Sequence, residues 1–175
     1  MLRADLEADF SAYVAERWDP LVRFATLLTR SEADAEDLVQ GALVKAASRW
    51  EQVADAPEGY VRTIISRDHI SVWRRHRGRT APVAHVPEAP EADRRPAADI
   101  AAATADAVDL RAALAALSPR QRTAVVLRHH LGLSEQETAR TMGCSVGAVK
   151  SQTHAALRRL RGLLDAPMTG AISTS

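Results

Sequence analysis

The chain of 175 residues has a single cysteine, Cys144, so neither an internal disulfide nor a cysteine-based zinc site can form within one copy. Aromatic residues make up only 4% of it, while alanine, leucine and valine abound, which favours packed helices over a sheet. No apolar run approaches the length of a membrane span, and the opening MLRADLEADF is too acidic for a signal peptide. The composition therefore predicts an all-α protein that is soluble and cytoplasmic. A large net charge is also missing, but the value of +1 hides an uneven distribution. Residues 62–79 hold six arginines against one acid, Asp68, and residues 84–99 place acids between prolines.

Four of the eight prolines fall in residues 81–104, a stretch almost without large apolar side chains. It cannot bury enough surface to fold alone, which predicts a flexible linker between a helical domain at 1–80 and a smaller one at 105–165. Residues 166–175 are small and polar, and a disordered tail is expected there.

In the first domain Phe10, Val14, Leu21, Phe24 and Leu28 keep helical spacing, and Asp19-Pro20 is expected to restart that helix. Ser31 with Asp34 opens a second helix, whose polar side carries Asp34, Glu36, Asp37 and Gln40. Such an acidic face repels DNA and suits a basic protein partner, if it is more than a solvated surface. Residues 50–56 form a loop, and Pro57 starts a third helix. On it Arg62, Ser66, His69, Trp73 and Arg77 share one arc, which Arg67 and Arg74 extend, with Arg75 beside them. Arginines that track phosphates beside an indole on which a base can stack are the equipment of a single-strand binding surface. The plainer alternative is that Trp73 packs in its own domain and the arginines are solvated. Asp68 reads as a structural partner for an arginine or a helix end.

In the second domain Ser118-Pro119-Arg120-Gln121 is a strong helix start, with a capping residue, a first-position proline and a reciprocal glutamine. Residues 134–161, SEQETARTMGCSVGAVKSQTHAALRRLR, then read as a helix-turn-helix. Ser134 and Glu137 form a capping box, Gly143 supplies the turn and Ser145 caps the second helix. Val146, Val149, Thr153, Ala156, Leu157 and Leu160 gather on one side of that helix, and Lys150, Ser151, His154, Arg158 and Arg161 on the other. A helix that is apolar inward and cationic or hydroxylic outward suits the major groove of DNA.

These parts in this order resemble an extracytoplasmic-function (group 4) sigma factor of bacterial RNA polymerase, in the sigma-70 family. AEDLVQGALVKA resembles region 2.2, PEGYVRTIISRDHISVWRRHR regions 2.3 and 2.4, and LSPRQRTAVVLRHHLGLSEQETARTMGCSVGAVKSQTHAALRRLR region 4. The resemblance implies that Asp34, Asp37 and Gln40 dock on the clamp coiled coil of the polymerase β′ subunit. It implies that Trp50 in the loop and Arg62, Arg67, His69, Trp73, Arg74, Arg75 and Arg77 on the third helix open and read the −10 element. The second domain would bind the β flap and set Ser145, Val146, Gly147, Lys150, Ser151, His154 and Arg158 at the −35 element. It leaves open whether an anti-sigma factor restrains the chain. Two positions depart from the family: Gly41 stands where a glutamate is usual, and Arg67 where an asparagine is common. A glycine inside a helix costs about 1 kcal/mol relative to alanine, and the missing carboxylate alters the docking face.

The expected product is a specificity subunit without catalytic residues, metal or cofactor. His129 and His130 are adjacent, so they point to different helix faces and make a poor metal pair, and no glycine-rich phosphate loop is present. The competing reading is a one-component helix-turn-helix regulator with a helical interaction domain. An ordinary sensor domain has no need of the basic, tryptophan-bearing third helix.

Overall fold

The computed structural model describes residues 2–78 and 104–164, with side chains for 5–72 and 110–163. Of the expected linker only Thr104 lies within the described residues, and the expected tail at 166–175 lies outside them. All regular structure among the described residues is helical.

The first helical group comprises α1 (Leu2–Leu28), α2 (Glu32–Ala47), the single turn α3 (Trp50–Val53) and α4 (Pro57–Gly78). The Ser31 hydroxyl caps α2 by accepting the Asp34 N–H at 3.1 Å. Leu21, Phe24, Ala25 and Leu28 of α1 are fully buried against Ala35, Val39 and Ala42 of α2 and Val61 and Ile65 of α4. Burying each large side chain of this set contributes about 1.5–3 kcal/mol.

The restart expected at Asp19-Pro20 does not occur, because α1 runs through Pro20 unbroken. A proline inside a helix forfeits one backbone hydrogen bond and crowds the preceding turn, at a cost of about 3 kcal/mol. The burial of Leu21, Phe24 and Leu28 immediately beyond it offsets that cost. The loop at 50–56 likewise contains the extra turn α3.

The second group comprises α5 (Thr104–Ala115), α6 (Pro119–Val125), α7 (Glu135–Met142) and α8 (Val146–Leu164). Both halves of the Ser118–Gln121 capping box are formed, at 3.1 and 3.3 Å. α6 continues into a widened π-helical turn, Val126–His130, in which the Leu131 N–H reaches back five residues to the Val126 carbonyl. Arg128 closes this corner by donating to the Leu133 carbonyl.

The two groups pack on one another. α4 lies against α6 and α7, α1 lies against α5 and α6, and one buried cluster runs through both groups.

Candidate nucleic-acid interface

The helix-turn-helix is built from local signals. Glu137 N–H donates to the Ser134 hydroxyl at 3.2 Å, and Ser134 N–H donates to the Glu137 carboxylate at 2.8 Å. Those bonds hold the Glu137 carboxyl below its ordinary range, since they favour the charged form. Gly143 ends α7 in the left-handed region, at φ 65°, where a side chain is strained, and Cys144 N–H returns to the Ala139 carbonyl at 3.0 Å. The Ser145 hydroxyl then accepts the Ala148 N–H at 3.1 Å and opens α8.

On α8, Val149, Ala156 and Leu160 are buried, while Lys150, Ser151, His154 and Arg158 are exposed on the opposite side. Ser145 and Gly147 are exposed at its start, and Val146 is half-buried. Lys150 approaches Glu135 at 3.5 Å, a surface pair too solvated to hold it back from a phosphate. The outward face is thus assembled and free of the core.

α4 divides its candidates. Arg62 pairs with Glu58 at 2.7 Å and lies 5.9 Å over the Phe24 ring. Ser66, expected on the outward arc, is fully buried instead. Arg67 reaches across to the end of α7, donating from Nε to the Thr141 carbonyl at 2.9 Å and from Nη2 to the Arg140 carbonyl at 2.6 Å. Trp73, Arg74, Arg75 and Arg77 lie in the last turns of α4, with side chains outside the described residues. Asp68 has a structural partner, but it is Lys45 of α2 at 2.6 Å rather than an arginine or a helix end.

Trp50 requires a correction. It is 5% exposed, its indole N–H donates to the Asp9 carboxylate at 2.9 Å, and the rings of Phe10 and Tyr13 pack on it at 4.9 and 5.1 Å. Buried against two rings and with its polar handle satisfied, it is a core residue that offers no open face for a base to stack on.

His69 is also turned inward, into a cleft of about 800 Å³ between α2, α4 and α6, beside Arg122 and Asp34. Burial, then the Arg122 charge, lowers its imidazole from the ordinary 6.5 to about 4. Asp34 opposes that shift, while Asp37, Lys45, Asp68 and Arg30 line the same cleft. Because the folded value is depressed, stability is whole above pH 6.5 and is lost as pH falls toward 4. At pH 5 the loss amounts to about 2 kcal/mol. Thermal melts at pH 7 and pH 5 will show it, and His69→Gln will flatten the difference.

The polar face of α2 is open: Asp34, Asp37 and Gln40 are all exposed. A Cβ placed on Gly41 meets nothing within 4 Å, so the absent carboxylate leaves free space beside the cleft.

Arg122 is the residue that sequence reasoning missed. It is 2% exposed, and among the described residues its guanidinium donates to four carbonyls rather than to a carboxylate: Leu114 at 2.7 Å, Leu28 at 2.6 Å, Ala115 at 3.1 Å and Leu117 at 3.2 Å. These oxygens belong to the C-terminal ends of α5 and α1 and to the turn after α5, where helix dipoles concentrate negative charge. Burial, then Arg30, lowers Arg122 to about 10, so it stays charged at neutral pH. The available signal was its position three and four residues before the buried Val125 and Val126, which puts an arginine on an inward face.

Two family descriptions match the chain, Sigma-70 region 2 over residues 14–79 and Sigma-70 region 4 over residues 107–160. An RNA polymerase sigma-E factor of Streptomyces coelicolor is 37% identical over 155 residues, covering 87% of this chain and 84% of that protein. The chain belongs to the extracytoplasmic-function sigma factors. Another such relative, SigM of Mycobacterium tuberculosis, is 35% identical to this sigma factor over 86% of its length and 74% of SigM. Among solved structures, the sigma factor RpoE in complex with the anti-sigma factor NepR from Bartonella quintana matches with TM-score 0.61 and 28% identity, covering 89% of this chain and 96% of that one. CnrH, solved with the cytosolic domain of CnrY, has the same fold at TM-score 0.58 and 23% identity. The all-α two-part architecture and a function in transcription initiation are therefore those of this sigma factor. Among the described residues no helix is long and apolar enough to cross a membrane.

Proposed function

We propose that this sigma factor is a non-enzymatic, cytoplasmic specificity subunit that carries core polymerase to promoters with two separately read elements. α8 reads the −35 element through Lys150, Ser151, His154 and Arg158, with Ser145, Val146 and Gly147 at its N-terminal end. The exposure of that outward row above a buried inward row is the observation that carries the reading. α4 reads the −10 element through Arg62, Arg67, Trp73, Arg74, Arg75 and Arg77; Trp50 is withdrawn from that set, and so is His69, which turns into the cleft beside Arg122. Asp34, Asp37 and Gln40 dock on the β′ clamp coiled coil, an assignment supported by their exposure on one face of α2, and the second group meets the β flap. The domain limits that follow are 1–80 and 105–165, joined by the linker. An anti-sigma partner is supported by the RpoE relative, which was solved bound to one.

Each reading surface alone makes few contacts and binds weakly. Tethering both to one polymerase makes the second contact intramolecular, so two weak readouts become one selective one. Run-off transcription with core polymerase on a promoter library tests the reading. The expected result is transcription from a subset sharing two sequence blocks at fixed spacing, and none without the sigma factor. Duplex binding by the isolated chain with no polymerase-dependent transcription would favour a one-component regulator instead.

A further inference from the structure

We propose that the docking face of α2 is centred on an apolar side chain, Val44, and that Gly41 sets how closely a helix of the polymerase clamp approaches it. This rests on the reading of α2 as the docking helix, and names the residues that carry the contact.

Two features of α2 have no explanation inside the fold. The first is Val44, which is 71% exposed, against 36% for Val72, the other exposed large apolar side chain among the described residues. A single exposed valine is ordinary on a surface, so its exposure alone decides nothing. Its register does. Asp37, Gly41, Val44 and Ser48 follow one another at spacings of four, three and four residues, the repeat by which one helix presents a continuous seam to another. Asp37, Val44 and Ser48 are exposed and Gly41 is half-buried, while Ala35, Val39, Ala42, Leu43 and Ala46 take the inward positions. Val44 therefore stands about two turns along from Asp37, on the ridge that Gln40 and Gly41 share.

Gly41 is the second feature. A glycine inside a helix weakens it relative to alanine. This one is outside the left-handed region, and a Cβ on it meets nothing within 4 Å. Among the described residues, then, neither backbone nor packing calls for glycine at this position. Its use lies in a partner: the side chains at a contact set the distance between packed helices. A glycine one turn before Val44 lets a second helix settle low enough to bury the valine, in the hollow that a glutamate side chain would fill.

Charge decides the kind of helix. Lys45, the one cation of α2, is tied to Asp68 at 2.6 Å, so Asp34 and Asp37 give the exposed face its sign. A basic helix with a small or apolar patch between its cations fits that face. Its cations meet the two aspartates, which steer and orient it, and its patch covers Val44, where desolvation supplies the affinity.

The test is equilibrium binding of the full chain to core polymerase, with a thermal melt of each variant. Val44→Ala removes two methyl-sized groups from the contact and is expected to weaken binding about tenfold. Gly41→Glu adds a carboxylate toward a basic partner, yet is expected to weaken binding about tenfold or more because it fills the hollow. Gly41→Ala is expected to melt higher than the parent and still to bind severalfold less well, a combination that damage to the fold cannot produce. Tighter binding by Gly41→Glu, or parent affinity in Val44→Ala, would overturn the proposal in favour of docking by charge alone. Asp37→Ala separates this from the docking reading itself. Parent affinity in that variant removes α2 as the docking helix; a loss confined to it leaves the docking face standing and its apolar centre refuted.

Discussion

Replacing Lys150 and His154 together with alanine is expected to abolish discrimination for the −35 element while leaving polymerase binding intact. Both side chains are exposed on the outward row of α8, whose inward row is held by Val149, Ala156 and Leu160, so truncating them leaves the core untouched. A good base-edge contact discriminates by about 1–3 kcal/mol, so the pair accounts for an effect on the order of a hundredfold. Competition between promoters with matched and scrambled −35 elements measures it. Transcription from a template already melted at −10 should survive in the variant. Equal failure on both templates would sink the assignment of α8.

The second large effect falls on stability. Arg122→Ala removes one guanidinium and leaves the carbonyls of Leu28, Leu114, Ala115 and Leu117 without that donor. Hydrogen bonds to a charged group contribute about 1.5–3 kcal/mol each, and a buried acceptor left unsatisfied keeps its desolvation cost. A loss of about 3 kcal/mol or more is expected, which lowers the midpoint of a cooperative chain of this size by about 6–12 °C. Differential scanning calorimetry reads it directly. Arg122→Lys should recover only part, since an ammonium cannot span four acceptors with the planar fork of arginine. A melting temperature within a few degrees of the parent would show that the carbonyls find other donors.

What could be read in advance was whatever is encoded locally. The boxes at Ser118–Gln121 and Ser134–Glu137, the cap at Ser31 and the turn at Gly143 each declare themselves within four residues, and all of them form. The two faces of α8 follow from its 3.6-residue period alone. Misreadings arose wherever a distant partner decides. Trp50 looks like part of a DNA-reading loop until Asp9, 41 residues earlier, takes its N–H. Pro20 looks like a helix start until the burial of its neighbours carries α1 through it. Ser66 sits at a polar position on the wheel yet faces the core. Arg67 and Arg122 were hardest to foresee, because their partners are backbone oxygens, which leave no mark in the order of side chains.

That chemistry has a consequence for how this sigma factor can diversify. Every amino acid carries a carbonyl, so substitutions at positions 28, 140 and 141 leave the oxygens grasped by Arg67 and Arg122 chemically unchanged. Heritable adjustment of the grip is thereby concentrated in two codons on the donor side. Of the two, only Arg122 lies outside both reading surfaces, so a descendant can loosen or tighten the packing of its two groups there while the surface that chooses genes drifts independently.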